Sequence, residues 1–304
     1  MLIIPTYNEQ ENIAPLVARI RSAVGEEPIL FVDDNSPDHT ADEIRRLQQS
    51  DNNIRLVVRP GKGGYGSACR EAMKLVLRDN LAEYVIQSDA DLSHPPELLP
   101  RMIELLKTNP VVIGSRYVAG GGASNWNLFR RCLSYGANLY ARLLTGVPVH
   151  DMTAGFVGYQ TETLRLIDLD GIRSEGYSFL MEMKFTLYRH GTRFCEFPIV
   201  FFDRNAGKSK FGRDILLEGI GFPVKALAQR LAGPRGSAGT ALPSRQSGTR
   251  RSRQGASATR LSPHALLANR LPLELDNFPK MAHDELGIVA SRVHVKLIGD
   301  AARV

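Results

Sequence analysis

Asp89-Ala90-Asp91 places two carboxylates at i and i+2, just past the apolar run Tyr84-Val85-Ile86. At that spacing one carboxylate can take a divalent cation directly while the other acts through water or substrate. Mg2+ or Mn2+ favours such a pair, because phosphate oxygens can complete its coordination. Two other apolar runs end the same way: Leu2-Ile3-Ile4 stops at Pro5-Thr6-Tyr7-Asn8-Glu9, and Ile29-Leu30-Phe31-Val32 stops at Asp33-Asp34. An acid at a strand end can hold a ribose hydroxyl or a base amine. Pro5 to Glu9 has neither the glycine pattern of a dinucleotide site nor a P-loop, so a nucleotide here is gripped in some other way. Taken singly, the acidic pair and the Asp33-Asp34 turn with its Asn35-Ser36-Pro37-Asp38 extension would equally suit solvated loops. Their shared position matters more, since ligands of open α/β sheets bind beyond the carboxyl ends of the strands.

Positioning these groups requires a sheet. Ile13, Leu16, Val17, Ile20 and Val24 recur at helical spacing after the first strand. A second strand at 29–33 leads to Thr40 and Glu43, spaced as a capping box, and 54–58 reads as a third strand. Gly61 to Gly66 reads as a flexible loop before a helix from Ser67, with a phosphate cradle as the alternative. Strand 84–88, a helix opened by Pro95-Pro96 and strand 111–114 continue the alternation. The pattern predicts βαβ units, hence an α/β fold with an open, mainly parallel, Rossmann-like sheet flanked by helices. Beyond Gly120-Gly121-Gly122 we expect helices at 128–144 and 179–190, strands at 155–159 and 194–202, and an amphipathic helix at 211–231 interrupted at Pro223. These form the acceptor half of the same domain, 1–231. Residues 232–304, rich in Gly, Ser, Ala, Arg and Pro, are expected to be a basic, largely disordered tail.

The formal net charge of +6 does not indicate nucleic acid. Residues 232–304 carry 11 Lys/Arg against 5 Asp/Glu, whereas residues 1–231 carry 27 of each, so the body has no polyanion footprint. Cys69, Cys132 and Cys195 are too scattered for a disulfide framework or a zinc site, which fits a reducing, cytosolic compartment. The N-terminus meets Glu9 and Glu11 early, unlike a secretory signal. No apolar stretch approaches the roughly 18 residues of a membrane span.

Six motifs in order resemble the dolichyl-phosphate or polyprenyl-phosphate mannosyltransferases of glycosyltransferase family 2, over about residues 1–231. They are Pro5 to Glu9, Val32 to Asp38, Gln87 to Pro95, Gly114-Ser115-Arg116-Tyr117, Asp151 to Phe156, and Phe202-Asp203-Arg204 with Ser209-Lys210. The resemblance implies the GT-A nucleotide-sugar transferase fold and transfer of mannose from GDP-mannose to a polyprenyl phosphate, with inversion. By the same token Pro5, Tyr7, Glu9, Val32 and Asp34 would line the guanine nucleotide. Ser88, Asp89, Ala90 and Asp91 would hold the diphosphate through Mg2+ or Mn2+, with Asp89 and Asp91 as the metal ligands. Arg116, Arg204 and Lys210 match the remaining donor and phosphate ligands, and Arg130, with Arg131 beside it, matches a basic position facing the lipid phosphate. Forked guanidiniums suit phosphate oxygens on general grounds. Asp151 and Glu182 match positions near the acceptor, with a buried structural role as the alternative, and His94 and His150 are expected to support the motifs beside them.

Many relatives carry transmembrane helices after the catalytic domain or bind a small membrane-anchoring subunit. For this chain the expectation is peripheral attachment on the cytosolic face of a membrane. The stripes of 211–231 and of Leu128, Phe129, Leu133 and Leu139 would then rest on the bilayer; packing on the core is the other reading. Two rivals remain: a family member using UDP-glucose or another donor or acceptor, and a catalytically silent binding subunit.

Overall fold

In the computed structural model, which describes residues 1–202 and 213–232, the apolar runs form strands buried on both faces. The chain passes through β1 (Leu2–Thr6), α1 (Gln10–Val24), β2 (Ile29–Asp33), α2 (Thr40–Gln48), β3 (Ile54–Val58) and α3 (Tyr65–Arg78). It continues through β4 (Tyr84–Gln87), α4 (Leu99–Leu106), β5 (Val111–Ser115), β6 (Gly122–Ala123) and α5 (Leu128–Thr145). The last elements are β7 (Val157–Gln160), α6 (Thr161–Leu164), α7 (Gly176–Arg189), β8 (Phe194–Pro198), β9 (Val200–Phe201) and α8 (Arg213–Leu231).

Seven strands make one sheet in the order β3-β2-β1-β4-β7-β5-β8, and β6 pairs with β9 apart from it. Every pairing in the large sheet is parallel except those of β7, which runs antiparallel to both β4 and β5. β7 starts at the edge where the parallel strands end, so its direction is opposite to theirs. The mainly parallel expectation is met.

Burial on both faces explains why the strands read as unbroken apolar runs instead of alternating ones. Leu30 and Val32 enter one core with α3, α7 and α8, while Ile29 and Phe31 enter the other with α1, α2 and α4. Each fully buried side chain of this kind contributes roughly 1.5–3 kcal/mol of transfer free energy. The Thr40–Glu43 capping box does not form. His39, in the left-handed region, precedes α2, and the Thr40 hydroxyl instead donates to Asp38 Oδ1 at 2.5 Å and accepts from Glu9 N–H at 3.0 Å. The pattern was right about a helix start and wrong about its hydrogen bonds. Expectations for 232–304, Ala232 aside, lie outside the described residues, as do Arg204 and Lys210.

Candidate active site

Beyond the carboxyl ends of β1, β2 and β4 opens a cavity of about 1050 Å3. Pro5, Tyr7, Glu9, Asp34, Asp89, Ala90, Asp91, Arg116 and Arg130 all line it. Val32 and Ser88 do not: Val32 is 1% exposed and belongs to the core, and the Ser88 hydroxyl points to the Asp89 carbonyl at 3.4 Å. The cavity has two characters. Its polar end gathers the acids and tyrosines at the strand edge, while Leu133, Ala137 and Tyr140 of α5, Leu180 and Met181 of α7 and Ile220 of α8 form an apolar end.

The acids beneath it have divided roles. Asp33 is buried and used up within the fold, accepting from the Thr6 hydroxyl at 2.9 Å, the Ser36 hydroxyl at 2.6 Å and the Ser36 N–H at 2.9 Å. It ties the ends of β1 and β2 together. Asp34 is paired with Arg59 and accepts from the backbone N–H groups of Gly64 at 2.8 Å and Gly63 at 3.2 Å. The glycine loop therefore cradles a carboxylate. Its φ of 97° makes Gly64 the residue that permits this bend.

At the acidic pair, Tyr65 at the start of α3 donates its hydroxyl to Asp89 Oδ1 at 2.9 Å and accepts from Gln87 at 2.9 Å. Burial, with Asp89 adding to it, pushes the Tyr65 phenol well above its ordinary pKa, so the proton stays and the hydroxyl remains a donor. His94 accepts from Asp89 N–H at Nδ1, 3.1 Å away, and stacks on Phe156 with centroids 5.4 Å apart. Asp91 Oδ1 accepts from Ser93 N–H at 3.1 Å across Leu92, whose φ of 62° is unusual for a branched residue. Such strain persists only where surroundings enforce it. Among the described residues no three His, Cys, Asp or Glu side chains gather to hold a metal by themselves. Two carboxylates with room for phosphate oxygens is the donor set that Mg2+ or Mn2+ accepts, so the residues fit such an ion.

Arg116 forms the opposite wall. It forks onto Asp151, Nε to Oδ2 and Nη2 to Oδ1 each at 2.7 Å, and Nη2 also donates to Thr153 at 2.8 Å. Burial opposes both charges, yet their mutual attraction prevails: the carboxyl is held below its ordinary range and the guanidinium above. The segment carrying Asp151 is held from three more elements. Glu196 of β8 accepts from the N–H groups of His150 and Asp151, and Asn138 of α5 accepts from Thr153 N–H. Lys184 of α7 donates to the carbonyls of Met152 and Ala154 at 3.1 and 2.9 Å. Fully buried, Lys184 is drawn down to about pKa 7 by burial. Asp151 is thus structural and beside the site at once, whereas Glu182 accepts from the N–H groups of Arg173 and Ser174 and braces a loop.

Sequence reasoning passed over Tyr65, Arg59, Trp126, Asn138 and Lys184. Lys184 had a legible signal, a lone cation inside the apolar run of Phe179, Leu180, Met181, Met183 and Phe185.

α5 presents an inverted surface. Leu128, Phe129 and Leu143 are 71%, 76% and 61% exposed, while Asn138 and Thr145 are buried. Leu139 also faces outward and the part-exposed Leu133 lines the cavity, so the stripe does not pack on the core. α8 splits: Phe222 and Ala226 are buried, and Ile220, Val224 and Leu231 are exposed.

Residues 1–167 match the family model described as glycosyl transferase family 2. Among curated proteins, the chain is 40% identical over 220 residues to an undecaprenyl-phosphate mannosyltransferase of Micrococcus luteus, covering 72% of this chain and 90% of that protein. It is 38% identical to a polyprenol monophosphomannose synthase of Mycolicibacterium smegmatis, covering 72% and 83%. It is 32% identical to a dolichol-phosphate mannosyltransferase of Saccharomyces cerevisiae, covering 71% and 82%. A crystal structure of glucosyl-3-phosphoglycerate synthase from Mycobacterium tuberculosis, in complex with Mn2+ and uridine diphosphate, superposes with a TM-score of 0.54 at 16% identity. It covers 77% of this chain and 80% of that one, a likeness of fold.

Proposed function

The chain belongs to glycosyl transferase family 2, and on that premise we propose that it transfers mannose to the phosphate of a polyprenol, taking the sugar from GDP-mannose. One observation carries the reading: a single cavity runs from the acids at the strand edge to an apolar end on α5, α7 and α8, with Arg116 and Arg130 in its wall. A nucleotide sugar suits the first end and an isoprenoid the second.

Asp89 and Asp91 hold a divalent cation in this reading, which when bound supplies positive charge against the departing diphosphate. Tyr65 fixes the Asp89 carboxylate by donating to Oδ1. Arg116, itself fixed by Asp151, and Arg130 hold the lipid phosphate against the donor. That phosphate is already anionic near neutral pH, its second pKa being about 6, so its attack on the anomeric carbon needs no strong base. Attack opposite the leaving GDP inverts the configuration, giving a β-mannosyl phosphoryl polyprenol. Arg204 and Lys210 keep their expected donor roles in this proposal, whereas Val32, buried in the core, and Ser88, outside the cavity lining, take none, and residues 1–231 are the catalytic domain.

The same surface supports a reading of location. We place the protein peripherally on the cytosolic face of a membrane, with the outward leucines of α5 in the interface. Among the described residues no helix is long and apolar enough to cross a membrane.

Radiolabelled GDP-mannose offered with a panel of lipid phosphates, with and without Mg2+ or Mn2+, tests the proposal. Metal-dependent appearance of lipid-linked mannose is expected. Product formed only from UDP-glucose, or nucleotide binding without turnover, would overturn it.

A further inference from the structure

The only tryptophan in the sequence, Trp126, lies in the cavity wall beside two of its cations, Arg116 and Arg130. The Arg130 guanidinium carbon is 4.3 Å from the indole centroid and that of Arg116 is 5.5 Å away. Tyr117 and Phe201 complete an aromatic surround of Arg116 at 5.3 and 5.6 Å, and Phe201 meets the indole edge to face at 5.7 Å. Two guanidiniums within reach of one ring repel each other. The negative face of an aromatic ring attracts cations, most strongly where water is excluded. The ring therefore stabilises a closeness that like charges oppose.

A second observation points the same way. The indole Nε1–H is buried and has no hydrogen-bond partner among the described residues, although Trp126 lines the cavity. A buried donor left unpaired is costly, and such groups are uncommon unless something else satisfies them. An anion drawn by the two arginines reaches this donor only by displacing the atoms that cover it, a rearrangement that would itself change the surroundings of the indole.

We propose that Trp126 is the positioning residue of the phosphate clamp: its ring sets Arg130 beside the anchored Arg116, so that both guanidiniums meet one phosphate monoester. This rests on the reading of a lipid phosphate acceptor. A packing residue would matter equally to both substrates, whereas a clamp-setting residue matters to the acceptor alone.

Because there is a single tryptophan, its fluorescence reports on this site directly. Titrating the full chain with farnesyl phosphate and with inorganic phosphate should shift the emission, while farnesol at equal concentration should not. In steady-state turnover, Trp126→Leu should raise KM for the lipid phosphate about tenfold, with kcat and KM for GDP-mannose changing less than about twofold. Trp126→Phe, which keeps an aromatic face, should recover most of the loss. The proposal is overturned by identical responses to farnesol and farnesyl phosphate, or by an unchanged acceptor KM in Trp126→Leu. If Trp126→Leu fails to fold, the titration of the unaltered protein still decides. It also separates the two ideas: an emission response to phosphate in a protein that transfers no mannose would sink the proposed function and leave the clamp standing.

Discussion

Arg116 and Asp151 meet through two parallel hydrogen bonds of 2.7 Å in a wall from which water is nearly excluded. One of the pair lines the cavity and the other is fully buried. Removing either charge leaves its partner uncompensated. Asp151→Asn should therefore destabilise the fold by about 3–5 kcal/mol, seen as a lower urea midpoint, and should depress turnover. In the unaltered protein Arg116 outweighs burial and holds the Asp151 carboxyl below its ordinary range. The unfolded chain then binds a proton that the folded one refuses. This stabilisation is present above the unfolded carboxyl value of about 4 and is lost as pH falls through the lower, folded value. A midpoint unaffected by Asp151→Asn would contradict this account.

Lys184 shows the opposite dependence. Burial lowers it from 10.5 to about 7. Below that value folded and unfolded states are both charged, and the burial cost is felt in full. Between about 7 and 10.5 the unfolded state still carries a proton that the folded state has released, so stability rises with pH. Lys184→Met should flatten this rise, measured as melting temperature across that window. Equal slopes for the two proteins would disprove the assignment.

Tyr65→Phe deletes the hydroxyl that orients Asp89. Groups that orient metal ligands typically affect affinity about 10- to 100-fold. The concentration of Mg2+ or Mn2+ giving half-maximal rate should rise by that order, with thermal stability falling by only about 1 kcal/mol. An unaltered metal titration would remove Tyr65 from this role.

Asp89→Asn and Asp91→Asn should each lower turnover by about 10³-fold or more, since several kcal/mol of charge stabilisation is at stake. Their melting curves should stay close to that of the unaltered protein, because neither carboxylate belongs to the hydrophobic cores. Chelation should reproduce the loss in the unaltered enzyme, and added metal should reverse it. A variant retaining most of its rate would mean that the cation, if any, is held elsewhere.

Local patterns were the legible part of this molecule. Ile29 to Val32 announced a strand buried on both faces because sidedness is irrelevant to a run with a core on each side. Asp89 and Asp91 are two residues apart and needed no folding to be seen together. The pairs that organise the wall were hidden because their partners are distant in the chain. Tyr65 finds Asp89 across 24 residues and Arg116 finds Asp151 across 35. Asp33 and Asp34 illustrate a subtler limit. Adjacent and chemically identical, they separate into a tether within the fold and a cavity residue through neighbours that spacing does not encode. The α5 stripe could be read from its periodicity, but the pattern alone did not decide whether it faced inward or outward.

α5 turns Leu128, Phe129, Leu139 and Leu143 outward and also gives Leu133, Ala137 and Tyr140 to the apolar end of the cavity. If α5 rests on the bilayer as proposed, enzyme and acceptor share one layer and search for each other in two dimensions, and the isoprenoid need never be extracted into water. The rate of encounter would then depend on how many acceptors share each patch of leaflet, and diluting the suspension would scarcely alter it.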